Sequence, residues 1–110
     1  MKLASLKNKS DFDFIFEKNN LKISSGEFTV LLVFKNKKEI NYGFIFPKKN
    51  IHLAVNRNFA KRSAKEMLKT LSPKNGFDII FLVRNKIVNF DKDKVKKNFA
   101  ELKRKIEFCF

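Results

Sequence analysis

The chain has 110 residues and a formal net charge of +14 at pH 7, from 25 Lys and Arg against 11 Asp and Glu. Its hydrophobic content of 44%, with 14 Phe, supports a packed core and excludes a disordered chain. The positive excess predicts a polyanionic partner. The single cysteine, Cys109, excludes an internal disulfide. No apolar run is long enough to span a bilayer and the first residues lack a signal-peptide pattern, so we expect one cytoplasmic domain over residues 1–110.

The first half of the sequence predicts a helix followed by strands. Capping-box spacing at Ser10 predicts a short helix that ends near Lys18. The segments 27–34 and 41–46 are rich in β-branched and aromatic residues, which is typical of strands. Pro47 cannot donate to a strand ladder and therefore ends the second strand.

The second half predicts two helices around one strand. A long helix is expected over residues 55–71, and the continuous apolar run 77–83 predicts a buried strand. Asp91 or Asp93 can cap a last helix in which apolar residues repeat at helical spacing. The predicted order is α-β-β-(β)-α-β-α, with the bracketed strand optional. This order indicates a small α+β sandwich, in which helices pack on a central sheet.

The helix predicted over residues 55–71 separates its charges from its apolar residues. At about 100° per residue, the cationic and amide side chains fall within an arc of roughly 140°. Arg57 and Arg62 are two of only four arginines, and a guanidinium group binds phosphate in a bidentate manner. A solvated charged face without a partner is the alternative. The residues predicted to bind phosphate, here called the basic strip, are Lys48, Lys49, Arg57, Asn58, Lys61, Arg62 and Lys65.

Phenylalanine rings are the second candidate binding element. A ring that stacks on an unpaired base contributes about 1–3 kcal/mol. Most of the 14 Phe must belong to the core, so packing competes with stacking at each position. The rings predicted to line a cleft between the sheet and the first helix are Phe12, Phe16, Phe28 and Phe44.

The sequence offers no constellation for self-contained catalysis. His52 is the only histidine, and neither a second histidine nor a second cysteine could complete a metal or nucleophile site with it. Most carboxylates lie at helix starts or on charged helix faces. We therefore predict neither a catalytic residue nor a metal site on this chain. His52 is expected in a loop or at a strand edge, and a contact to RNA is the alternative.

One segment resembles a known signature. Residues 54–66 read Ala-Val-Asn-Arg-Asn-Phe-Ala-Lys-Arg-Ser-Ala-Lys-Glu, similar to Ala-Val-x-Arg-Asn-Arg-x-Lys-Arg-x-x-Arg-Glu in the protein component of bacterial ribonuclease P. Segments 10–16 and 77–81 also resemble that family. Phe59 and Lys65 replace family arginines, Pro47 replaces a small polar residue, and Leu31 lies where the family often has an aromatic residue.

The resemblance implies a protein subunit of a ribonucleoprotein that removes the 5′ leader from precursor tRNA. It implies that an RNA subunit with bound magnesium performs the hydrolysis and that no other protein is required. The basic strip is then expected to bind the RNA subunit, and the cleft to hold the single-stranded leader and so strengthen magnesium and substrate binding. The resemblance also implies a left-handed βαβ crossover, against the usual rule.

Two other functional classes remain open from the residues. A structural RNA-binding protein, like those of the ribosome, could use the same basic helix without a processing role. A stand-alone nuclease would cleave RNA with a metal held by the protein, and it is disfavoured because the sequence shows no clustered carboxylates or histidines.

Overall fold

The computed structural model describes residues 2–71, 73 and 75–109. The predicted α+β class and element order are confirmed, and the optional strand is present. One further strand precedes the first helix. The elements are β1 (Lys2–Ser5), α1 (Lys9–Lys18), β2 (Leu21–Ser25), β3 (Phe28–Phe34), β4 (Glu39–Ile45), α2 (Ala54–Lys69), β5 (Phe77–Val83) and α3 (Lys92–Phe108).

The five strands form one mixed sheet in the order β1-β4-β5-β3-β2. β4 runs parallel to both β1 and β5, whereas β3 is antiparallel to β5 and β2. The parallel neighbours β4 and β5 are joined through α2, as a parallel pair requires a crossover connection. The left-handed sense of this crossover stays a prediction.

The sheet is covered on both faces, so β5 is apolar at almost every position. Alternate side chains of a strand point to opposite faces. Ile79 and Phe81 join the larger core with the buried side chains of α2 and α3. Ile80 and Leu82 form the smaller core with Ile15 of α1. A strand buried on both sides reads as a continuous hydrophobic run, which explains why its predicted bounds are exact.

Helix α1 approaches the sheet closely where β4 has a glycine. A Cβ atom built on Gly43 would lie 2.5 Å from Cζ of Phe12 and 3.2 Å from Cδ1 of Leu6. The missing side chain therefore makes room for the Phe12 ring on the sheet. Ile15, one turn further along α1, is fully buried against β3 and β5.

The helix ends agree only in part with the predictions. Asp91 caps α3, because its Oδ1 accepts hydrogen bonds from the backbone N–H groups of Asp93 (2.9 Å) and Lys94 (3.3 Å). The capping box at Ser10 is wrong, because α1 begins at Lys9 and places Ser10 inside its first turn. Among residues 2–71, 73 and 75–109, no helix is long and apolar enough to cross a membrane.

Candidate nucleic-acid interface

Helix α2 presents the polar part of its surface away from the core. Ala60, Ala64, Met67 and Leu68 are its buried residues, spaced at three and four positions as a helix packed on one side requires. The other side brings four members of the basic strip around one shallow depression. Those four residues are Asn58, Lys61, Arg62 and Lys65.

Arg57 lies at the start of this surface and also supports the loop before α2. Its Nη1 donates hydrogen bonds to the backbone carbonyls of Ile51 (2.9 Å) and His52 (3.0 Å). One guanidinium nitrogen is thus committed within the protein, while the others remain able to donate. Arg57 is half-buried, whereas His52 is exposed in the loop, where the sequence places it.

Lys48 and Lys49 stand on a tight turn that is anchored to the sheet. The backbone N–H groups of Asn50 and Ile51 donate to the carbonyl of Pro47 at 2.9 and 3.0 Å. The buried Asn50 side chain donates to the Val83 carbonyl at 2.7 Å. This anchorage holds two exposed lysines ahead of α2 on a fixed turn, so they are available to bind phosphate together with the members of the basic strip on α2.

The basic strip is not neutralised from within the protein. The ion pairs found among residues 2–71, 73 and 75–109 involve Lys35, Lys69, Lys94 and Lys105, all outside the strip. Lys65 instead lies over the Tyr42 ring, with Nζ 5.8 Å from the ring centroid. Cations that are not paired with carboxylates create a positive potential that attracts polyanions.

The four predicted cleft rings do not line one cleft. Phe12 is half-buried and Phe16 is 44% exposed, both on α1. The prediction for Phe28 is wrong: the side chain is 1% exposed, and its ring lies 4.8 Å from that of Phe99 in α3. Phe44 packs on the α2 and α3 side of the sheet, stacked 5.5 Å from Phe81, and therefore cannot share a cleft with α1.

The surface beside α1 contains apolar residues that the sequence reasoning missed. Val33 of β3 and Ile45 of β4 are partly buried against the smaller core, as Phe12 is. The alternation of side chains along the two strands could have indicated these residues. That prediction also requires knowing which face of the sheet α1 covers. Leu31, where the related family often has an aromatic residue, is buried beneath α1.

A polar network closes one end of the sheet. Lys35 Nζ lies 2.8 Å from Asp78 Oδ1 and 3.1 Å from Glu39 Oε1, and Asn41 donates to the same Asp78 oxygen at 3.1 Å. Burial lowers the pKa of Lys35, but the hydrogen bonds to Asp78 and Glu39 outweigh this effect and raise it. The hydrogen bond from Lys35 lowers the pKa of Glu39.

Within the described ranges, no group of three or more His, Cys, Asp or Glu side chains is arranged to hold a metal ion.

A mixed five-stranded sheet, with a cation-bearing crossover helix on one face and a short aromatic helix on the other, defines a class of small basic α+β proteins. The sequence model of the family described as Ribonuclease P matches residues 1–107. The chain belongs to this family, and the resemblance noted from residues 54–66 is confirmed.

Individual relatives agree with this assignment. The ribonuclease P protein component of Marinobacter nauticus is 32% identical over 98 residues, which cover 89% of this chain and 74% of that protein. The protein component of Caldanaerobacter subterraneus is 28% identical over 106 residues, covering 94% and 90%. The structure of the RNase P protein from Thermotoga maritima matches with a TM-score of 0.71 at 26% identity, covering 94% of this chain and 97% of that one.

Proposed function

We propose that this chain is the protein subunit of ribonuclease P and assists an RNA subunit in removing the 5′ leader from precursor tRNA. The observation that carries the proposal is the unneutralised basic strip on α2, in a chain that matches the family over residues 1–107. The catalytic centre is assigned to the RNA subunit, so the chain serves an endoribonuclease without supplying its reacting groups.

The basic strip is the proposed docking surface for the RNA subunit. Lys48 and Lys49 on the anchored turn, together with Arg57 and Arg62 of α2, can contact successive phosphates. Each phosphate neutralised by a cation releases counterions, which makes binding weaken as salt rises. If about five phosphates are contacted, the log–log slope of affinity against salt is about −3.5, at about −0.7 per contact.

The surface beside α1 is the proposed site for the single-stranded leader. Phe12 and Phe16 are four residues apart in α1, so both rings lie on the same side of the helix. Phe16 is exposed, and Phe12 packs over Gly43. Stacking accepts every base, because each base has an aromatic face, and this tolerance suits leaders of many sequences. Phe28 and Phe44 have no part in this site.

Magnesium is proposed to be held mainly by the RNA subunit and the substrate. The ion prefers octahedral oxygen ligands and is usually bound by carboxylates together with phosphates. In this chain, Asp78 and Glu39 are engaged with Lys35. By neutralising phosphates nearby, the chain's cations allow the RNA strands to approach each other and favour the fold that binds magnesium.

Reconstitution tests the proposal. The cognate RNA subunit and precursor tRNA are combined at low magnesium, with and without the protein. The protein is expected to stimulate leader removal and to bind precursor more tightly than mature tRNA in the holoenzyme. Equal affinity for the two tRNAs without stimulation would instead support a structural RNA-binding role, and cleavage by the protein alone would support a stand-alone nuclease.

A further inference from the structure

An apolar groove lies between α2 and α3, on the side of these helices away from the sheet. It encloses about 450 Å³, which is within the size range of small-molecule sites. Phe99 and Met67 are buried side chains at its base, and Phe59 forms one wall. The exposed Ala100 also lines it. This groove is separate from the leader surface beside α1, because it lies on the opposite face of the sheet.

Cations surround this groove. Arg62 from α2 and Lys96 and Lys103 from α3 line its margin. The one carboxylate among the lining residues, Glu66, is paired with Lys69 at 3.4 Å. Arg62 also belongs to the basic strip. The positive surface therefore continues from the strip, across the groove, onto α3.

Phe59 links the apolar and cationic parts of the groove. Nζ of Lys92 lies 5.3 Å and Nζ of Lys96 5.9 Å from the centroid of its ring, at cation–π distance. The Phe90 ring meets it edge-on at 6.2 Å. These contacts fix the orientation of the ring and hold two ammonium groups at position 59, where the related signature has an arginine. Positive charge is thus supplied from α3 instead of from α2.

We propose that the groove between α2 and α3 binds one unpaired nucleotide of the RNA subunit. The base enters among Phe59, Met67 and Phe99. Its flanking phosphates contact the cations at the margin, which are Arg62, Lys96 and Lys103. An aromatic wall beside several cations is the combination that binds unpaired nucleotides through stacking and phosphate contacts together. An apolar peptide has no negative charge to pair with the cations, so the charge of the groove favours RNA over such a peptide as the occupant. The inference rests on the proposed role as the partner of an RNA subunit.

The first test separates stacking from charge in the assembled holoenzyme. Phe59→Leu keeps an apolar side chain but removes the aromatic ring. We expect it to weaken binding to the RNA subunit about 5- to 150-fold, the effect of losing one stacked base, with the salt slope unchanged. Phe108→Leu is the control for the same substitution outside the groove, since Phe108 is at the end of α3, is 92% exposed and does not line the groove.

The second test addresses the phosphates. Lys96→Gln with Lys103→Gln is expected to flatten the salt slope by about 1 to 2 units. Lys97→Gln with Arg104→Gln removes the same charge from α3 outside the groove and is expected to change the slope less. Equal effects of the two pairs would show that the groove has no specific phosphate contact and would overturn the proposal.

A crosslinker identifies the occupant directly. Benzophenone-alanine placed at position 100 is expected to crosslink in the holoenzyme to an unpaired nucleotide of the RNA subunit. Wild-type affinity for Phe59→Leu, or crosslinks only to protein in a cell extract, would overturn the groove assignment. If wild-type protein still stimulates leader removal in that case, the proposed function survives. If wild-type protein does not bind the RNA subunit, both proposals fail.

Discussion

Arg57 and Arg62 carry the same charge, but only Arg57 is built into the loop that precedes α2. Replacing either with glutamine removes one cation from the basic strip, so each change should make the salt slope shallower by about 0.7. Arg57→Gln also removes the hydrogen bonds to the carbonyls of Ile51 and His52. These carbonyls are partly accessible to water, so the loss should total about 1–2 kcal/mol of unfolding free energy.

The two variants should therefore differ in stability and agree in salt dependence. For a domain of this size, that loss lowers Tm by about 4–8 °C in Arg57→Gln. Arg62→Gln should leave Tm within about 2 °C, because Arg62 is exposed and substitutions of this kind change stability by about 0.5 kcal/mol at most. Thermal unfolding followed by circular dichroism measures Tm, and anisotropy of labelled RNA at several salt concentrations measures the slope. Equal Tm values, or unchanged slopes in both variants, would refute the reasoning.

Three further predictions follow from contacts elsewhere in the molecule. Phe16→Ala should reduce the preference of the holoenzyme for precursor over mature tRNA by about 1–3 kcal/mol. Phe14→Ala, at a 54% exposed position on the same helix, should leave this preference unchanged. Competition binding between the two tRNAs measures the preference, and equal losses in the two variants would contradict the leader assignment. Gly43→Ala should cost about 1–3 kcal/mol in urea unfolding because its Cβ would collide with the Phe12 ring, and Phe12→Leu in the same chain should recover part of that loss. The hydrogen bond from Lys35 holds the pKa of Glu39 below its ordinary value of 4.5. The stabilising effect of this bond is therefore complete above about pH 4.5 and disappears as the pH falls through the lowered pKa. Glu39→Gln should have a lower Tm than the wild type at pH 7 and the same Tm at pH 2, and a Tm difference that does not change with pH would refute the pairing.

Local sequence patterns predicted the elements that depend on local chemistry. The apolar run of β5 was predicted, and Asp91 was one of the two residues predicted to cap α3, because burial on two faces and capping each depend on residues close together in the sequence. β1 was missed because Lys2–Ser5 is short and pairs in parallel with β4, which lies far along the chain. No local pattern records such a partner.

The site residues likewise include some that local patterns predict and others that depend on distant parts of the chain. Helical spacing was enough to group Asn58, Lys61, Arg62 and Lys65 on one surface. The aromatic candidates required knowledge of which face of the sheet each helix covers. Phe28 lies beneath α3, which begins more than 60 residues later, and this contact decides its burial. The groove beside Phe59 depends on α3 as well, so a reading of α2 alone could not reveal it.

The central position of β5 has a consequence for synthesis of the protein. Both β3 and β4 pair with β5, so the central strand of the sheet is absent until residues 77–83 have been made. Until then, two strands expose unpaired backbone groups, which are templates for aggregation. A nascent chain that stalls before Phe77 should therefore aggregate more readily than one that already includes β5.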